Sequence, residues 1–166
     1  YVTLAPNQVV QLGSATITAV LLNHPVINFG YRIDSDGKSV FFTGDHEAYY
    51  NIYEPADEGF REYQTLIEEK EQAMLEVLRG VDVLIADASY TVEEYPAKRG
   101  WGHGTHDSSI DLAKRIGAKF LYCTHHEPTR SDAALEKVFA NVMSRHPREE
   151  SGPEYRLARE GEEFEI

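Results

Sequence analysis

Between Ala15 and Leu22 apolar and β-branched residues run almost without a break. That is the pattern of a strand with one well-buried face, and Asn23-His24-Pro25 ends it. Two further runs, Phe29 to Ile33 and Ser39 to Thr43, flank Ser35-Asp36-Gly37-Lys38 and predict a hairpin. Gly44-Asp45-His46-Glu47 follows at the end of its second strand. From Glu62 to Arg79 the period changes. Leu66, Ile67, Met74, Leu75 and Leu78 fall near one helical stripe, Glu68 to Glu71 form a solvated face, and Gly80 stops the helix. Val81 to Ala86 predicts a short buried strand ending at Asp87. Ser108 to Ile116 predicts a helix stopped by Gly117, and Lys119 to Thr124 another buried strand. Ser131 caps a helix running to about Arg145. Tyr155 to Leu157 and Glu163 to Ile166 read as closing strands around Glu160-Gly161, and Tyr1-Val2-Thr3-Leu4 as a strand entered midway. Strands come first and then alternate with helices, which predicts an α/β layered domain.

Two stretches fit neither period. Residues 48 to 63 hold Tyr49, Tyr50, Tyr53, Phe60 and Tyr63 with Pro55 and Gly59 among them, and Ser89 to Gly104 carries Tyr90, Tyr95, Trp101 and His103. Both read as loops. Their aromatic residues either wall a pocket for a small molecule or pack beneath the loops themselves.

Composition narrows the class. The chain has 166 residues with 42% hydrophobic and 27% charged positions, enough for one domain with a real core. There is neither a membrane-length apolar run nor a signal-like start, which points to a cytoplasmic protein without a membrane partner. One cysteine, Cys123, rules out an internal disulfide and fits a reducing compartment. It lies in an apolar run and reads as a small buried hydrophobe rather than a nucleophile. The formal charge of −12 offers no basic footprint for nucleic acid. A small phosphodiester stays open, because bound metal ions reverse the local field.

The candidate chemistry sits at strand ends. Of the seven histidines, His146 reads as surface, whereas His24, His46, His103, His106, His125 and His126 all fall in loops after strands. A single loop histidine is most often a surface hydrogen bonder. Six of them, with Asp45 and Asp87 also at strand ends, point to a metal or acid–base site. Histidine with carboxylate is the ligand chemistry of zinc, iron or manganese hydrolases. Neighbouring side chains on extended backbone face opposite ways, so His125 and His126 are not expected to share one task.

Leu22-Asn23-His24-Pro25, Phe29-Gly30-Tyr31-Arg32-Ile33 and Thr43-Gly44-Asp45-His46-Glu47 resemble, in that order, motifs of the metallo-β-lactamase fold in its ribonuclease Z and cyclic phosphodiesterase branch. Asp87-Ala88-Ser89-Tyr90-Thr91, Gly100-Trp101-Gly102-His103-Gly104-Thr105 and Thr124-His125-His126-Glu127-Pro128 with Asp132 continue the likeness. The resemblance implies half of an αβ/βα sandwich, a mixed sheet with helices on one face, with residues 1–166 as the single-domain C-terminal portion of that fold. It implies a metal-dependent hydrolase of a small phosphodiester. A hydroxide held by zinc, manganese or iron, one or two ions in the complete protein, would attack with a histidine as general acid. His24 and Asp45 resemble metal ligands, Asp45 the bridging carboxylate with a catalytic part, and His125 the proton donor. His103, His126 and Asp87 resemble supporting residues.

Two departures qualify this. The His-x-His-x-Asp-His run that supplies most ligands in the family does not occur here, and Arg159 stands where relatives carry a further histidine. The chain alone is therefore expected to be inactive and to bind metal weakly or not at all, and an uncovered sheet edge or face should drive self-association or pairing with an N-terminal half. Only Asp34 to Gly44 separates Ile33 from Asp45, too short for the arm of the tRNA-processing members; with the acidic charge this argues against tRNA. Lactone or thioester hydrolysis is the alternative chemistry. A non-catalytic binding or assembly module with remnant motifs is the alternative class.

Overall fold

A computed structural model describes residues 3–166. Its seven-stranded sheet runs in chain order: β1 (Val9–Leu12), β2 (Ala15–Leu21), β3 (Phe29–Ser35), β4 (Lys38–Phe42), β5 (Val83–Asp87), β6 (Phe120–Thr124) and β7 (Glu154–Leu157). The first four strands pair antiparallel and the last four parallel, with β4 common to both halves. Each parallel step is bridged by one helix: α1 (Phe60–Leu78), α2 (His106–Ile116) and α3 (Asp132–Arg145). Three crossovers of one hand moving in one direction put every helix on the same face. The fold is thus α/β, as the periodicity implied, with a mixed sheet and helices on one face, as the resemblance implied.

Burial follows the register. Val20, Leu22, Phe41, Leu84, Ala86, Leu121 and Cys123 point to the helices and meet Met74, Leu78, Ile110, Ala113, Ile116 and Val142 in one core. Gly30 of β3 occupies this face because a side chain there would collide: a Cβ would lie 2.6 Å from the Phe41 ring. Burial pushes the Cys123 thiol up to about 12, so it behaves as an apolar filler. Arg32 stays on the helix face by a different route. Its guanidinium donates to the carbonyls of Val77 at 2.6 Å and Arg79 at 3.2 Å, satisfying the C-terminal end of α1.

The opposite face is also apolar. The rows Ile17–Ile33–Val40–Val83 and Ala19–Tyr31–Phe42–Ile85–Tyr122 run across it. There Leu12, Leu21, Tyr31, Ile33 and Phe42 are exposed, from 36% for Tyr31 to 67% for Leu12. The tail reaches this face near β6, where Phe164 stacks on Tyr122 with ring centroids 4.3 Å apart.

Three expectations need correction. Thr3 and Leu4 are not in a strand, and Tyr1 and Val2 lie outside the described residues. The first strand is instead Val9–Leu12, a short and mostly exposed edge whose pattern carries little burial signal. Glu163–Ile166 forms no strand: the acidic tail lacks a ladder partner and is held through Phe164. His146 is half-buried rather than free, with Nε2 2.7 Å from Asp107 at the start of α2. Among the described residues no helix is long and apolar enough to cross a membrane.

Candidate metal centre

Because β2 and β4 are both antiparallel to β3, the carboxyl ends of β2, β4, β5 and β6 lie along one edge of the sheet. That edge is where open α/β sheets gather their chemistry. It receives His24 after β2, Asp45 after β4, Asp87 at the end of β5 and His125 after β6, while the β5–α2 loop brings His103. Asp45, Asp87, His103 and His125 each offer one ligand atom, all within 4.8 Å of one another. His24 Nε2 lies 3.7 Å from the Asp45 carboxylate and His125 Nδ1 3.4 Å from it. The rings of His103 and His125 stack at 4.7 Å, and His24 meets His103 edge-on at 5.7 Å.

The two carboxylates differ in what they have left to give. Asp87 is buried and saturated: Oδ1 accepts from the Ser89 amide and hydroxyl at 3.1 and 2.8 Å, Oδ2 from the His46 amide at 3.2 Å and His103 Nδ1 at 2.8 Å. Burial pushes its carboxyl above the ordinary range, and the hydrogen bonds from His103, Ser89 and His46 oppose the rise. Asp45 accepts no protein hydrogen bond on its carboxylate among the described residues, and 38% of its side chain is exposed. We therefore read Asp87 as the brace behind His103 and Asp45 as the available ligand. With Nδ1 of His103 given to Asp87, its Nε2 keeps the free lone pair, the arrangement that orients metal-binding imidazoles. His24 is set the same way. Its Nδ1 sits 2.9 Å from the Val26 carbonyl, the shorter of its two backbone contacts, and pairing there leaves Nε2 facing Asp45.

Backbone geometry holds these groups in place. Gly102 has φ +92°, and a Cβ there would lie 2.1 Å from the His24 ring, so only glycine lets the loop close on that histidine. His125 itself sits at φ 55°, in the left-handed region that a non-glycine residue adopts at a cost. The Asn28 side chain donates to the Asp45 carbonyl. The N-terminus of α2 is tied in by a capping box between Thr105 and Ser108, and Ser109 donates to the Asp87 carbonyl at 2.6 Å. Arg130 links the β5 and β6 loops by donating to the Ser89 carbonyl and to both oxygens of Glu94.

The motif Gly44-Asp45-His46-Glu47 divides its labour. Asp45 faces the site. His46 is buried below it, its titration pushed down to about 4 by burial, and its Nδ1 has no hydrogen-bond partner among the described residues. Glu47, 2% exposed, accepts from the Tyr95 hydroxyl at 2.6 Å, the Gly100 amide at 2.8 Å and the Gly102 amide at 2.9 Å. Sequence reasoning gave Glu47 no task, because its partners lie up to 55 residues away. The loops at 48–63 and 90–101 meet here: His24, Glu47, Tyr49, Tyr50, Tyr63 and Gly100 line a cleft of about 170 Å³. His126 stands apart from the cluster. It lies parallel to the buried His106 at 6.4 Å, and neither of its ring nitrogens finds a hydrogen-bond partner among the described residues. Arg159 is also away from the site, exposed and paired with Glu136 at 2.9 Å.

The family follows from a match of residues 1–126 to the beta-lactamase superfamily domain, a stretch containing every member of the cluster. The chain belongs to the beta-lactamase superfamily. A ribonuclease Z from Brevibacillus brevis is 34% identical over 83 residues, covering 48% of this chain and 26% of that protein. Two solved structures share the fold. The metallo-beta-lactamase fold protein YhfI from Bacillus subtilis matches with TM-score 0.64 and 21% identity over 96% of this chain and 53% of that one. A diphosphatase from the PhnP family matches with TM-score 0.55 and 22% identity over 98% of this chain and 48% of that one. The chain thus spans about half of each of these two structures and 26% of the curated relative. The ribonuclease Z-like branch read from the motifs agrees with these relatives.

Proposed function

We propose that this chain carries part of the active centre of a metal-dependent phosphodiester hydrolase. The convergence of Asp45, His103 and His125 on one point at the carboxyl edge of the sheet, with His24 beside them, supports it. A set mixing imidazole nitrogen with carboxylate oxygen fits zinc, manganese or iron. Such an ion supplies Lewis acidity toward a phosphoryl oxygen and acidifies water. His24 and Asp45 would hold it, with His103 held in line by Asp87. His125, partly exposed and 3.4 Å from the Asp45 carboxylate, would give a proton to the departing oxygen. The acidic net charge and the short Asp34 to Gly44 stretch make a small phosphodiester our first choice, and the aromatic cleft beside His24 would take its organic part. The residues that complete the donor set would come from the rest of the fold, docked on the apolar sheet face.

The test uses the protein in its full-length context. Hydrolysis of bis-p-nitrophenyl phosphate with zinc or manganese should disappear in Asp45→Ala together with bound metal. His125→Ala should lose ~10²–10⁴ in turnover with metal content near normal. Loss of metal in His125→Ala would make it a ligand, and full activity in Asp45→Ala would remove the assignment. A preference for RNA over the small diester would move the substrate class.

A further inference from the structure

The loop that closes on His24 carries an unusual surface group. Trp101, next to Gly102 and two residues before His103, is 56% exposed. The Lys98 ammonium lies 4.0 Å from the centre of its indole and 5.8 Å from the Tyr90 ring, and Tyr90 in turn meets His103 edge-on at 6.2 Å. Neither Lys98 nor Arg99 has a carboxylate partner among the described residues, in a chain of net charge −12. The acidic neighbours are already engaged. Glu94 is taken by Arg130, and Glu47 by Tyr95, Gly100 and Gly102. Arg99 is fixed over the Tyr50 ring at 4.0 Å and donates to the Asn51 carbonyl. The loop is therefore held by these contacts while presenting an indole that is 56% exposed and an ammonium with no carboxylate partner among the described residues.

We infer that Trp101 and Lys98 form a subsite for a planar, nucleobase-like ring carried by the substrate's phosphate, with Lys98 as counter-ion to that phosphate. The inference rests on the metal-centre reading for its neighbour. An exposed indole on a loop held in this way loses little conformational freedom when a ring stacks on it, and stacking of a base on an aromatic side chain is sequence-tolerant and strong. The cation needs no separation from a carboxylate before it meets an anion. Ring recognition and phosphate recognition thus come from two adjacent side chains, leading toward His103.

Trp101 is the chain's single tryptophan, so its own emission reports the event. The purified chain is titrated with adenosine 5′-monophosphate, adenosine and ribose 5-phosphate. We expect saturable quenching by the nucleotide, weaker quenching by adenosine and none by ribose 5-phosphate. By calorimetry, Trp101→Leu should bind the nucleotide about five-fold or more weakly. Lys98→Gln should weaken the nucleotide and leave adenosine unchanged. Equal binding of nucleotide and ribose 5-phosphate, or an unaltered Trp101→Leu, overturns the subsite. Manganese titration of the protein in its full-length context separates the two ideas. Manganese binding there without ring preference overturns the subsite alone, and failure of the full-length protein to bind manganese overturns the metal-centre reading whatever the tryptophan reports.

Discussion

Asp45 and Asp87 end neighbouring strands and look alike in the sequence, yet one is open and the other is spent on four protein donors. Residue type and strand-end position were enough to nominate both. Nothing local could tell the open carboxylate from the spent one, since the donors to Asp87 come from two different loops. The same limit applies to the histidines. His106 and His126 share the loop signature of the others but face each other away from the cluster, His106 without exposure. Burial pushes His106 down from its ordinary 6.5 to about 4. The unfolded chain therefore takes up a proton between these values that the folded chain does not, so stability falls as pH drops from about 6.5 toward about 4. The slope from one such group is at most ~1.4 kcal/mol per pH unit. Chemical denaturation across that range should show the fall, and His106→Leu should flatten it; an unchanged slope would mean His106 already titrates normally.

Of the elements, the long ones were legible. The α1 and α2 stripes, the hairpin of β3 and β4 and the buried strands β5 and β6 lie within a few residues of where their periods put them. The misses were at the margins: β1 is an exposed edge with no apolar alternation, and the tail after β7 is too acidic and too short of partners to pair. The loop from Tyr90 to Thr105 was legible only as a break in pattern, although it carries much of the site. Its order depends on Glu47, a buried carboxylate receiving three donors from one loop. Glu47→Ala should cost on the order of 2–4 kcal/mol, since hydrogen bonds to a charged group are the strong ones. Hydrogen exchange is the sharper readout. The Gly100 and Gly102 amides should lose protection well before the β5 and β6 amides do; protection unchanged at both glycines would show that the loop is held by other contacts.

At the scale of the whole molecule, the sheet is covered on its helix face and largely open on the other. Leu12, Leu21, Tyr31, Ile33 and Phe42 form a patch of the kind that marks an interaction surface. The expectation of an uncovered surface came from comparing motifs, and the register shows which side chains line it. The chain on its own should therefore associate. Light scattering is expected to report dimers or larger species, and Tyr31→Lys with Phe42→Lys to shift them toward monomer; a monodisperse monomer that keeps both residues would contradict this. At the opposite end of the architecture four loops bring nitrogen and oxygen donors together. Anomalous diffraction at the zinc edge, from crystals of the protein in its full-length context grown with zinc, should show a peak beside the Asp45 carboxylate, within coordination distance of His24 or His103 and lost in Asp45→Ala; zinc found only elsewhere, or unmoved by that substitution, would contradict the metal centre.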